Sequence, residues 1–161
     1  PTTVLIMLGL LEPEAKQKVL EIGTGSGYAA AILAEIGCEV IGLEIIPELA
    51  VRAPRVLAKL GYGTVKIHAS DGGGGWEEEA PYDRILLSTA PPDVPRHLFW
   101  QLKNGGILVA PVGRVEQRMI VCRKKKEGEV IEEDHGAFIF VPLRGKWGVE
   151  ESSDTPGLPF V

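Results

Sequence analysis

Apolar positions fall in short runs separated by stretches that carry a helical stripe, and this alternation continues to residue 112. Lys18–Ile22 (KVLEI) is a short apolar run that ends in glycine-rich sequence, the pattern of a buried strand. Gly27–Ile36 contains YAAAILAEI, strong in helix formers, and stops at Gly37. Cys38–Leu43 (CEVIGL) predicts a second strand. Pro47–Leu60 then places Leu49, Ala53, Val56 or Leu57, and Leu60 on one helical stripe, with Pro47 at the first helical position and Gly61 past the end. Pro54 falls inside that stripe. An interior proline costs about 3 kcal/mol, so a kink or interruption is expected there.

Thr64–Ala69 and Tyr82–Ser88 predict a third and a fourth strand. Val94–Leu102 fits a short helix after a proline loop, and Gly106–Val112 a fifth strand. From Gln117 the texture changes to MIVCR, EVIEE and AFIFVPL, read as antiparallel strands joined by a turn at Glu127-Gly128. Residues 1–13 (PTTVLIMLGLLEP) predict an opening helix. Strands alternating with helices argue for a parallel, helix-covered sheet, and right-handed crossovers make it doubly wound. The expected fold class is α/β: a Rossmann-like, mostly parallel sheet with antiparallel C-terminal strands. One domain is expected over residues 1–148, followed by a loose tail over 149–161 (EESSDTPGLPFV from Glu150).

Composition narrows the function class. The 161 residues suit a single domain able to bury a core, and 45% hydrophobic with 24% charged residues is ordinary for a globular protein. A formal net charge of −5 lacks the electrostatic footprint of a duplex binder, so no nucleic-acid partner is expected. Lys124–Lys126 reads as a solvated turn, and Trp76, Trp100 and Trp147 are too scattered to form a base-stacking platform. Cys38 and Cys122 have no C-x-x-C spacing and read as buried thiols of a reduced, cytoplasmic protein, with no metal ligation. No apolar run reaches the ~18–20 residues that cross a bilayer, and the opening lacks the basic flank of a signal peptide. A membrane-free monomer is expected. The unusual figures are Gly 20 and Pro 12, clustered at 23–27, 72–75, 91–95 and 104–113. They read as shaped loops on a rigid scaffold.

In open α/β sheets ligands bind outside the carboxyl ends of the strands. The first cluster, Glu21-Ile22-Gly23-Thr24-Gly25-Ser26-Gly27, lies between a strand and a helix. A dinucleotide fingerprint would place a third glycine at position 28, which is Tyr28. Glycines at 23, 25 and 27 after an acid give the form associated with S-adenosylmethionine. The acid can hold its ammonium, and backbone amides can take its carboxylate. Alone, this loop leaves the two cofactors open. Glu44 closes the second strand, where a carboxylate can accept both hydrogen bonds of a ribose diol; a solvated charge is the other reading. Ser70-Asp71-Gly72 follows the third strand, with Asp71 placed to accept from adenine N6, or simply to cap a turn.

Glu21–Gly27 with Tyr28, Glu44–Leu49 (EIIPEL), Ser70–Gly72 and Ala80–Ile85 (APYDRI) occur in that order. Gln101–Gly106 (QLKNGG), Pro111–Gly113 (PVG) and Phe140–Leu143 (FVPL) follow. The series resembles the protein-L-isoaspartate O-methyltransferases, from Pro1 to about Trp147. The resemblance implies S-adenosyl-L-methionine as cofactor and isoaspartyl peptides and proteins as substrates, in a protein-repair reaction. Gly23, Thr24, Gly25, Ser26 and, at the helix start, Gly27 would line the methionine part, with Glu21 on its ammonium. Glu44 and Ile45 would take the ribose and adenine, and Ser70, Asp71 and Gly72 the adenine rim. Ser88–Pro92, with Thr89 and Ala90, would wall the cleft at the methyl, and Val141, Pro142 and Leu143 would lie beside an extended peptide.

The resemblance also implies a segment before the point matching Pro1, carrying a serine in a Ser-x-Pro-like motif that contacts the isoaspartyl carboxylate. Pro1 matches the proline of that motif, and no residue within the chain is assigned a catalytic role. Transfer to a carboxylate already ionised at neutral pH needs no general base. His68, His97 and His135 accordingly read as structural or solvated. Two positions depart from the family pattern. Gly73 stands where Ser or Thr commonly follows, which is expected to loosen that loop. Pro91 stands where Ala is usual and removes an N–H near the substrate. The alternatives are another class I methyltransferase with a small-molecule or RNA acceptor, or a cofactor-binding module without catalysis.

Overall fold

The computed structural model describes residues 2–148. Helix α1 (Thr2–Leu11) is followed by β1 (Lys18–Ile22), α2 (Tyr28–Ile36), β2 (Glu39–Glu44), α3 (Pro47–Lys59) and β3 (Lys66–Ala69). Then come β4 (Tyr82–Leu87), β5 (Leu102–Val112), β6 (Gln117–Lys124) and β7 (Val130–Phe138), with short 3₁₀ turns at Gly72–Gly74, Glu77–Glu79 and Arg96–Trp100. All seven strands join one sheet in the order β3-β2-β1-β4-β5-β6-β7. The first five pair in parallel, and β6 and β7 pair antiparallel beyond β5. This is the fold class expected from the sequence.

The period of two along each strand divides the core between the two faces of the sheet. Val19, Val40, Leu86, Val109 and Val121 pack on one side with Met7 and Leu11 of α1, Leu33 of α2 and Leu57 of α3. Leu20, Ile41, Ile85, Leu108 and Cys122 pack on the other, with Tyr82, Leu98, Leu102 and Leu143. That second face is covered by 3₁₀ turns and loops. The helix expected over Val94–Leu102 is only the 3₁₀ turn Arg96–Trp100. Its last expected residue, Leu102, already pairs with Tyr82, and the register shift between Tyr82 and Arg84 absorbs the glycines at 105 and 106.

Other boundaries also move for local reasons. Cys38 stays with α2, because its N–H bonds Leu33 O and closes the helix. α3 runs unbroken through Pro54, against the expected interruption. Its buried stripe is Ala50, Ala53 and Leu57, whereas Val56 and Leu60 are exposed. Packing of that stripe offsets the missing hydrogen bond at Pro54. The segment AFIFVPL divides: Ala137 and Phe138 end β7, and the chain then leaves the ladder to bridge Ala90 through Pro142. Both cysteines are buried as expected, and burial pushes the Cys122 thiol up to about 12. Among the described residues no helix is long and apolar enough to cross a membrane. The expected tail and Pro1 lie outside the described residues.

Arg84 ties α1 to the sheet. Its Nε donates to Leu11 O at 2.7 Å and its Nη2 to Glu12 O at 3.1 Å, satisfying carbonyls at the end of α1, while Nη1 donates to Asp83 O at 2.9 Å. The side chain is buried in β4 among these acceptors. Arg84→Met strands these carbonyls and is expected to cost about 1.5–3 kcal/mol, read as a lower urea midpoint with an unchanged slope. Arg84→Lys should recover little, since one ammonium cannot reach three carbonyls in the plane of a guanidinium.

Candidate active site

Strand order reverses at β1: the chain moves outward through β2 and β3, then returns to place β4 on β1's other side. The loops after β1, β2, β3 and β4 therefore meet over one crevice, which holds most of the residues singled out in the sequence. Gly23 N and Thr24 N both donate to Leu43 O, at 2.8 and 3.1 Å, and so fasten the first loop to the end of β2. Gly23 has φ +83°, and a Cβ there would lie 2.8 Å from Thr89 Cγ2, so only glycine lets the two loops touch. Gly27 precedes α2 with no side-chain cap, leaving the first helical N–H groups free for a ligand.

Glu44 is buried and organises the second loop. Its Oε2 accepts from Gly25 N at 2.8 Å and its Oε1 from Ile46 N at 2.9 Å. Ile45, beside it, is exposed, as is Ser26. Glu21 is more constrained. It is 1% exposed; Oε1 accepts from Ser88 Oγ at 3.3 Å, and Oε2 has no partner. Burial, reinforced by the Glu44 charge, pushes its carboxyl up to about 8, against a weaker opposing pull from Ser88. Thr89 Oγ1 is a second buried polar atom without a partner, and its side chain packs on Gly23. Two orphaned polar atoms, on β1 and in the loop after β4, fit a ligand that brings its own cationic and polar groups.

After β3, Asp71 Oδ1 accepts from Gly73 N at 3.0 Å and Oδ2 from Lys146 N at 2.7 Å. Asp71 thus caps the 3₁₀ turn, the other reading given to it, and also gathers the segment around Gly145 over the loop. Each oxygen keeps a second lone pair for an amine. Ser70 Oγ turns to Asp71 O, and Gly72 lies so close over Ile22 and Leu43 that a Cβ there would come within 2.7 Å of Ile22. The expected loosening at Gly73 is not found. A Cβ there would come within 2.6 Å of Trp147, so the missing side chain makes room for an indole. Trp147 stacks on His97 with centroids 4.1 Å apart, and His97 Nε2 donates to Gly73 O at 2.5 Å.

After β4, Ala90 N donates to Val141 O at 2.8 Å, and Leu143 N donates to Ala90 O at 2.7 Å. The structure thereby joins Ala90 to Val141, Pro142 and Leu143, the residues expected beside the peptide. Pro91 lacks an N–H, but its carbonyl accepts from Gly113 N at 3.0 Å. A pocket of about 160 Å³ opens here, lined by Pro91, Val94, Pro95, His97, Leu143 and Trp147 among others. Two supports escaped the sequence reading. Gln101 grips the 72–76 loop, accepting from Trp76 N and donating to Gly74 O, both at 2.8 Å. Trp147, too far in sequence from the other tryptophans to stack bases with them, packs on Gly73 and His97 instead. Both contacts join residues more than 20 apart, and no local period announces them.

A parallel sheet reversing at β1, with a glycine loop and an acid at the next strand tip, defines a Rossmann-like fold with a crevice for a nucleotide-type cofactor. A family model for protein-L-isoaspartate(D-aspartate) O-methyltransferase (PCMT) matches residues 1–148. Protein-L-isoaspartate O-methyltransferase 2 of Archaeoglobus fulgidus is 47% identical over 151 residues, covering 92% of this chain and 69% of that protein. A solved protein-L-isoaspartate O-methyltransferase superposes with TM-score 0.85 at 27% identity, over 92% of this chain and 48% of the other, so this chain spans about half of it. A second solved structure, from Plasmodium falciparum and in complex with S-adenosyl-L-homocysteine, has the same fold at 23% identity and TM-score 0.71, over 88% of this chain and 71% of that one. The chain belongs to the protein-L-isoaspartate O-methyltransferase family of S-adenosylmethionine-dependent enzymes.

The raised Glu21 carboxyl has a measurable sign. The native state retains a proton that the unfolded chain loses above about pH 4.5, so this site's stabilising contribution is present below that pH and declines as pH rises to about 8. Glu21→Gln is expected to flatten the fall in urea midpoint between pH 5 and 8 and to leave the ligand-free protein more stable at pH 8.

Proposed function

We propose that this chain methylates the carboxylate of L-isoaspartyl residues in damaged proteins, with S-adenosylmethionine held in the crevice over β1. The observation that carries this is a pair of orphaned polar atoms at the reversal of the sheet, Thr89 Oγ1 beside Gly23 and Glu21 Oε2 near the end of β1. Glu21, once ionised, takes the cofactor's ammonium. The uncapped N–H groups at the start of α2, behind Gly27, take its carboxylate. Glu44 is held in place by Gly25 N and Ile46 N and turns its remaining lone pairs to a ribose diol. Ile45 and Gly72 bracket the adenine, with Asp71 at its amine and Ser70 at the rim.

The cofactor supplies an electrophilic methyl group on a sulfonium; the chain supplies alignment. The acceptor carboxylate is anionic at neutral pH, so the site needs no base, and none of the three histidines is required as one. His97 is committed to Gly73 O and Trp147, and His68 stacks on Trp76. Ala90 holds Val141–Leu143 at the edge of the crevice, where an extended peptide can lie through its main chain. Such contacts tolerate many sequences, which suits repair of damage at arbitrary positions. Rate then comes from aligning carboxylate oxygen, methyl and sulfur in a pocket closed to water.

Incubation with methyl-labelled cofactor and an isoaspartyl peptide should yield a base-labile methyl ester, and the matching aspartyl peptide should yield none. No ester from the isoaspartyl peptide overturns the proposal, and label in a small-molecule or RNA acceptor redirects it. Glu44→Ala and Asp71→Ala should each weaken cofactor binding by about 1–3 kcal/mol in calorimetry. Unchanged affinity in both removes the proposed pocket.

A further inference from the structure

The antiparallel ladder between β6 and β7 reaches the pair Gln117↔Phe138, and its backbone rungs stop there. Residues 113–116 connect β6 back to β5, so β6 itself offers no further backbone residue opposite Phe140. A side chain supplies the next rung. Gln117 Oε1 accepts from Phe140 N at 2.5 Å, and Gln117 Nε2 donates to Phe140 O at 3.1 Å. The primary amide is the neutral side-chain group that offers a donor and an acceptor together, as a paired strand residue does. Gln117 is 6% exposed, so this rung is sheltered from competing water.

In an extended segment, successive residues direct their N–H and C=O groups to opposite edges. With Phe140 committed to Gln117 on one edge, Val141 O and Leu143 N face the other, where they bond Ala90 N and O. The segment is therefore gripped from both sides, by a side chain of β6 and by the backbone after β4. A one-residue slip would exchange the two edges and turn every side chain over.

We infer that Gln117 is a positioning residue: its amide sets the register of Val141–Leu143 against Ala90, and so where an isoaspartyl peptide sits relative to the methyl group. The inference rests on the reading above that these residues seat the peptide. It concerns no contact with the cofactor: among the described residues the Gln117 side chain hydrogen-bonds Phe140 and none of the residues proposed to bind the cofactor.

Two variants separate this role from general support. Gln117→Met removes both hydrogen bonds; Gln117→Glu keeps the volume and the acceptor and loses the donor, so it carries the test even if the first does not fold. In the methionine variant the KM for an isoaspartyl peptide should rise about tenfold or more, with S-adenosylhomocysteine affinity unchanged and kcat within about threefold. The glutamate variant should fall between it and the unaltered protein. Amide exchange at Phe140 and Leu143 should accelerate in the same order. An unchanged peptide KM alongside faster exchange overturns the positioning role, as does unchanged exchange at Leu143, or equal loss of cofactor affinity. If the unaltered protein forms no isoaspartyl ester, the functional reading fails instead. The exchange at Leu143 then still decides whether Gln117 holds the segment.

Discussion

The reversal of strand order at β1 is the constraint on which the rest of this structure depends. Parallel strands wound outward from a central strand in two directions leave a gap between the loops at their carboxyl ends. Here the gap lies between the loop after β1 and the loop after β4, and Gly23 is pressed against Thr89 inside it. Nothing in the glycine loop's own sequence creates that contact. It follows from β1 pairing β2 on one side and β4 on the other, in the registers Ile22↔Leu43 and Ile22↔Leu87. A glycine loop on an edge strand would have one neighbour, and no crevice.

The crevice holds its polar groups at a cost, and the cost is informative. Glu44 and Asp71 have both carboxylate oxygens on backbone N–H groups, so they are aimed and stable without a ligand. Glu21 is different: buried, half-satisfied and beside another carboxylate, it keeps its proton instead. An unsatisfied buried oxygen is worth roughly 1–3 kcal/mol of lost stability, which a cationic ligand group can return as affinity. That unpartnered atom is a local cost to the empty protein. Gly73 shows the opposite economy, since its missing side chain admits Trp147 and closes the loop more firmly.

What could be read from the sequence was what local chemistry carries. Alternation gave the parallel half of the sheet, and acids or glycines at successive strand tips gave Glu21, Gly23, Glu44 and Asp71 as neighbours before any fold was known. What failed was set by distant contacts. Pro54 leaves α3 unbroken because Ala50, Ala53 and Leu57 pack against the rest of the molecule, and propensity counts only the local loss. Gly73 reads as slack until Trp147, far along the chain, is seen to fill its space. Asp71 reads from the sequence either as an adenine contact or as a turn cap, and the geometry engages it as the cap, with its second oxygen on Lys146 N.

The antiparallel strands complete the arrangement for a topological reason. A purely parallel sheet ends each strand at the ligand side and must carry the chain back before the next begins. β6 reverses that direction without a crossover and β7 restores it, so β7 delivers its carboxyl end at Phe138 beside the turn that follows β5. From there the chain reaches Ala90 at Val141 and bridges it through Pro142. The parallel half thus supplies the loops suited to the cofactor, and the antiparallel half returns a strand suited to a peptide. Gln117 stands at the junction of the two. Its side chain ends one ladder while holding the chain in the extended form that the bridge to Ala90 requires.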